Sequence, residues 1–149
     1  MYTLRTATTN DIPALSDLLS QLFAIETDFT PDDARQRAGL QNLIHRPERS
    51  RILCACDPGG AIVAMASIQI LVSTAQGTPV GLIEDMIVDP AHRHRGIGRM
   101  LLDELEAWSL QRGLTRLQLL ADADNSGALD FYDHCGWSPT RLVARRKLL

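Results

Sequence analysis

Val88-Asp89-Pro90-Ala91-His92-Arg93-His94-Arg95-Gly96-Ile97-Gly98-Arg99 is the stretch from which the rest of the chain can be read. The apolar run 80–88 ends at Val88 and reads as a buried strand. A basic loop follows, then glycines at the head of a helical pattern, with Ile97, Leu101, Leu105 and Trp108 on one face. A helix N-terminus leaves about four N–H groups unpaired, and the macrodipole adds about half a positive charge there. Together they form an anion site. Gly96 and Gly98 lack a Cβ, so the backbone can come close to a ligand. Arg93, His94, Arg95 and Arg99 add positive charge around the helix mouth. A pyrophosphate suits this arrangement. A Walker loop would need Gly-Lys-Ser/Thr, which is missing, and the dinucleotide fingerprint would need a glycine where Leu101 stands.

Outward from this stretch, the elements alternate in type. Gly113 closes the long helix as a left-handed cap. Residues 114–121 read as a strand, and Asn125 or Ser126 starts a short helix ending near His134. Residues 137–149 are expected to supply one or two final strands. On the N-terminal side, residues 2–6 alternate as a strand. Thr8, Thr9 and Asn10 can cap a helix carrying Ile12, Leu15, Leu18, Leu19 and Leu22 on one stripe, with Pro13 in its first turn. Thr30-Pro31-Asp32-Asp33 starts a second helix that should stop before Pro47. Residues 51–56 and 61–72 form a hairpin around the turn Asp57-Pro58-Gly59-Gly60. Strands 51–88 should be antiparallel neighbours, and the unit 80–121 a right-handed parallel crossover. The class is α/β, of mixed α+β kind.

The chain has 149 residues, the size of one domain, so residues 1–149 are expected to form a single one. Hydrophobic residues make up 45%, enough for a core, and charged residues 22%. A net charge of −3 argues against nucleic acid as a partner. Basic clusters in an acidic chain suit a small anionic ligand better than a long polyanion. No apolar run approaches the roughly 20 residues that span a bilayer. The N-terminus lacks the plan of a signal peptide, so a soluble, cytoplasmic protein is expected. Cys54, Cys56 and Cys135 make no disulfide framework and read as buried small hydrophobes. His45, His92, His94 and His134 show no metal-site spacing, so no structural metal is expected.

Arg93-His94-Arg95-Gly96-Ile97-Gly98 resembles the Arg/Gln-x-x-Gly-x-Gly/Ala motif of the GNAT superfamily of acyl-CoA-dependent N-acetyltransferases. Asn125, Ala128, Phe131-Tyr132 and Gly136-Trp137 resemble that family's later signature, with Trp137 where phenylalanine is usual. The resemblance implies the GNAT fold: a mostly antiparallel mixed sheet of six to seven strands flanked by four helices. It implies acetyl-CoA as co-substrate and an amine as acceptor. By position, backbone amides of His94, Arg95, Gly96, Ile97, Gly98 and Arg99 would bind the CoA pyrophosphate. Ile87 and Val88 would offer backbone groups to the pantetheine arm. Asn125 would contact the pantetheine, and Tyr132 would point its hydroxyl at the thioester sulfur as general acid.

Acyl transfer needs a free amine. An alkyl ammonium with pKa about 10.4 leaves only about one molecule in 2,500 as free amine at pH 7, a deficit of about 4–5 kcal/mol. A positioned base can recover part of this, typically about 10²–10⁴-fold. Glu84 stands in an apolar strand, where partial desolvation would raise its pKa. It is the preferred base, against the simpler reading that it pairs with an arginine or with the substrate ammonium. Strand alternation puts Asp85 on the opposite face. Glu26, Asp28, Asp32 and Asp33 could form an acidic rim for a cationic amine, although helix capping also accounts for Asp32 and Asp33. A small-molecule amine is the preferred acceptor, with a protein lysine or N-terminus next. A catalytically silent acyl-CoA-binding module remains the alternative, and a homodimer stays open.

Overall fold

The computed structural model describes all residues, Met1 to Leu149. A sheet of five strands has the order β1-β2-β3-β4-β5: β1 (Thr3–Thr6), β2 (Ser50–Cys56), β3 (Ile62–Ser73), β4 (Thr78–Val88) and β5 (Leu117–Leu119). The first four strands pair antiparallel, and β5 joins β4 in parallel. Helices α1 (Ile12–Ile25), α2 (Asp33–Ile44), α3 (Ile97–Gln111) and α4 (Ser126–His134) complete the chain.

Period-two alternation splits the strands between two cores. Leu53, Ala55, Ala64, Ala66, Ile68 and Ile83 pack against Ile97, Leu101, Leu105 and Trp108 of α3. Ile52, Cys54, Met65 and Ile87 pack on the other face against Leu15, Leu18, Leu19 and Leu40 of α1 and α2. A buried amide fixes these two helices together: Gln36 Nε2 donates to Ser16 O at 3.0 Å and to Ser20 Oγ at 2.9 Å. Burial pushes the Cys54 thiol up to about 12, which leaves it a packing group.

Two expectations need correction. The sheet has five strands rather than six or seven, and residues 137–149 form none. Pro139 has no N–H to donate to a ladder. The tail crosses instead to the α1–α2 loop, where Arg146 lies 3.8 Å from Asp28 and 5.0 Å above the Phe29 ring. No helix is long and apolar enough to cross a membrane.

Candidate active site

The site is built around an irregularity in β4. Ser67 pairs with Glu84, but Met65 pairs with Ile87, so β4 carries one more residue than β3 between these points. Such a bulge re-aims side chains. Asp85 takes up the extra length at φ 24°, a region that residues other than glycine seldom enter. Its carboxylate turns to the Ser67 side, and Ser67 Oγ donates to Asp85 Oδ2 at 3.3 Å. Asp85 is therefore not on the face opposite Glu84, as simple alternation predicts. The desolvation expected at Glu84 falls on Asp85 instead. Glu84 is exposed, whereas burial, and then the neighbouring Glu84, push Asp85 up to about 6.

Beyond the bulge the sheet splays. Pairing of β4 with β5 covers only Gly81, Leu82 and Ile83. The stretch from Met86 to Val88 therefore has no strand on its β5 side. The Val88 carbonyl accepts instead from Arg93 Nε at 3.0 Å.

The loop after β4 ends in two left-handed residues, His94 at φ 59° and Gly96 at φ 78°. Alternating backbone signs of this kind turn successive amides toward one point. Met100 N–H is the first in α3 to find a helical partner, Gly96 O at 3.0 Å. The amides of His94, Arg95, Gly96, Ile97, Gly98 and Arg99 have no acceptor within the protein. This run of orphan donors continues from a nest into a helix mouth, a combination suited to a diphosphate. Gly96 supplies the left-handed φ. Gly98 serves packing: a Cβ there would stand 3.0 Å from Phe131 Cζ.

Asn125 Oδ1 accepts from Ala128 N at 3.0 Å, so the side chain caps α4. Tyr132 Oη donates to Met86 Sδ at 3.8 Å. Burial first, and then Glu26, push this phenol up to about 12. Glu26, at the end of α1, is itself raised by burial and by Asp85.

A cleft of about 1090 Å³ brings Ile87, Val88, Arg93, His94 and the residues Gly96 to Arg99 together with Asn125, Tyr132 and Glu26. Arg95 stays outside its wall and donates to Tyr2 Oη at 3.3 Å. Glu84 and Asp85 line a second cavity of about 800 Å³, with Asp28 and Phe29. The two cavities adjoin at the bulge: Asp85 borders one and Met86 the other. Asp33 is engaged elsewhere, by Ser16 Oγ at 2.6 Å and Arg37 Nε at 2.7 Å. Asp32 caps α2 through Arg35 N at 3.0 Å. Strand alternation alone places Asp85 on the wrong face, and it gives Tyr2 no role at the loop. The adjacent acids interrupting the apolar run of β4 were the available sign of the bulge. No local pattern brings Tyr2 to the loop.

A sequence profile described as the acetyltransferase (GNAT) family matches residues 13–137. Glucosamine 6-phosphate N-acetyltransferase of Trypanosoma brucei brucei is 34% identical over 106 residues, covering 70% of this chain and 64% of that protein. An aminoglycoside N(6')-acetyltransferase type 1 of Acinetobacter baumannii is 28% identical over 137 residues, covering 90% of this chain and 94% of that protein. The chain spans somewhat under two thirds of the length of the first curated relatives it matches, at 64%, 63% and 62%. A crystal structure of a Trypanosoma brucei acetyltransferase superposes with a TM-score of 0.78 at 28% identity, covering 99% of this chain and 100% of that one.

Proposed function

Because the chain belongs to the acetyltransferase (GNAT) family, we propose that it transfers an acetyl group from acetyl-CoA directly to a primary amine, a small molecule by preference. The observation that carries this reading is the run of orphan amides from His94 to Arg99, opening on the unpaired edge of β4. The named relatives acetylate amino groups of sugars and aminoglycosides, which supports an amine as acceptor.

Acetyl-CoA supplies an acyl group already activated as a thioester. The amides of His94 to Arg99 hold its diphosphate, and the free edge at Ile87 and Val88 holds its arm. Asn125, whose Oδ1 is spent on the helix cap, offers its Nδ2 to the cleft. The acceptor enters by the second cavity and meets the thioester at the bulge. Asp85 takes the proton that the attacking nitrogen must lose, and exposed Glu84 attracts the ammonium into the cavity. The C–N bond forms as the C–S bond breaks, and Tyr132 Oη gives its proton to the departing sulfur. A carboxyl near 6 is mostly ionised at neutral pH, yet close enough in pKa to act as a base. A phenol near 12 stays protonated until a thiolate needs it.

The test is thiol release from acetyl-CoA over a panel of amines. Amine-dependent release, slowed about 10²–10⁴-fold in Asp85→Asn, is expected. Acetyl-CoA binding without release on any amine would replace this reading with a silent acyl-CoA-binding module.

A further inference from the structure

The cavity beside Glu84 and Asp85 is not acidic throughout. Its wall also carries Arg35, Arg46, Arg49 and Arg146. Arg35 pairs with Asp32 at 3.5 Å and Arg146 with Asp28 at 3.8 Å. No ion pair engages Arg46 or Arg49. Both stand on the turn between α2 and β2. That turn is held from within, since the Arg46 carbonyl accepts from Arg49 N and Ser50 N, each at 2.9 Å, and from Ser50 Oγ at 3.0 Å. Two free guanidiniums thus sit on a fixed platform at one end of the cavity. The acids of the bulge sit at the other end.

The sheet register sets the span. Ile70 N donates to Arg49 O, Ile70 pairs with Gly81, and Glu84 lies further along the same strand. Arg49 is then two strands across and a few residues along from Glu84, about 14 Å between Cα atoms. Cations left unpaired in a cavity wall recognise oxyanions, and arginine does so with two parallel bonds. We infer that the acceptor is an amine carrying an anionic group, a phosphate or a carboxylate, well separated from the nitrogen and read by Arg46 and Arg49. This rests on reading the same cavity as the acceptor site. A polyamine would leave the arginines facing like charge.

Matched acceptors test it. Glucosamine 6-phosphate against glucosamine probes a phosphate, and aminohexanoate against hexylamine probes a carboxylate. A preference in kcat/KM of roughly 10- to 100-fold for the anionic member of at least one pair is expected. The double variant Arg46→Ala/Arg49→Ala should cut kcat/KM at least tenfold more for the anionic member than for its neutral counterpart. Arg46→Lys/Arg49→Lys should restore part of the difference. Equal rates within both pairs, or a preference that survives the alanine variant, would overturn the inference. Should no amine be turned over, calorimetry with glucosamine 6-phosphate in the presence of CoA separates the two questions. Heat seen with the wild type and lost in the alanine variant upholds the anion site while the transfer reaction falls. No heat with the wild type overturns the anion site itself.

Discussion

Burial pushes the Asp85 carboxyl up to about 6, so ionising it at neutral pH costs the fold free energy. A folded-state pKa above the unfolded value means that the native state holds the proton longer. Stability therefore falls as pH rises from about 4 to about 6, by up to about 3 kcal/mol. Asp85→Asn should raise the melting temperature at pH 7.5 and leave it little changed at pH 4. Asparagine also tolerates the left-handed φ of this position. The wild-type kcat/KM should fall as pH drops through about 6, and the same variant should lose this acid limb. A thermal gain at pH 7.5 equal to that at pH 4 would show that the carboxylate is not desolvated. Tyr2 acts at a distance from the chemistry: its Oη shares a hydrogen bond of 3.0 Å with His92 Nδ1 and receives one from Arg95. This hydroxyl ties the N-terminal segment to the loop that follows β4. Tyr2→Phe should raise KM for acetyl-CoA roughly 2- to 10-fold and leave kcat within error, as steady-state kinetics in both substrates would show.

The mouth of α3 presents the unpaired amides proposed to hold the diphosphate, and its form follows from one backbone angle. Gly96 caps the helix at φ 78°, with open space where a Cβ would stand. Gly96→Ala therefore meets strain and no clash, costing about 1–2 kcal/mol. The orphan amides should lose their common aim, and CoA affinity measured by calorimetry should fall about tenfold. Gly113→Ala, at φ 74° beyond the other end of α3, bears the same strain but should leave CoA affinity unchanged. Equal losses in both variants would mean that general destabilisation, rather than amide geometry, drives the effect. This element was legible in the sequence because its signals are local: a glycine, a basic loop and an apolar stripe. The bulge was not, since alternation carries Glu84 and Asp85 to opposite faces unless an extra residue is inserted. That insertion shows only against the register of β3. Residues 137–149 misled for a related reason. A strand needs an edge to pair with, and β5 offers only Leu117–Leu119.

At the scale of the molecule, the two cavities are separated by the bulge and the α1–α2 loop, so whatever holds that loop also shapes the cavity proposed for the acceptor. Residues 137–149 reach it from the far end of the chain. Arg146 pairs with Asp28 and covers the Phe29 ring, while Leu148 completes the cavity wall. Both charged partners are more than half exposed, at 51% and 71%. Such a pair adds little to global stability, about 0–1 kcal/mol. Its effect should therefore be local. Removing residues 146–149 should leave the melting temperature within about 2 °C and CoA affinity unchanged, because the orphan amides lie in the other cavity. KM for the acceptor should rise several-fold as Phe29 loses its cover and the wall loses Leu148. Arg146→Ala alone should give part of that rise, and Arg146→Lys, which keeps the charge but not the flat stack, a smaller part. An unchanged acceptor KM after truncation would mean that the tail does not contribute to the acceptor site in solution.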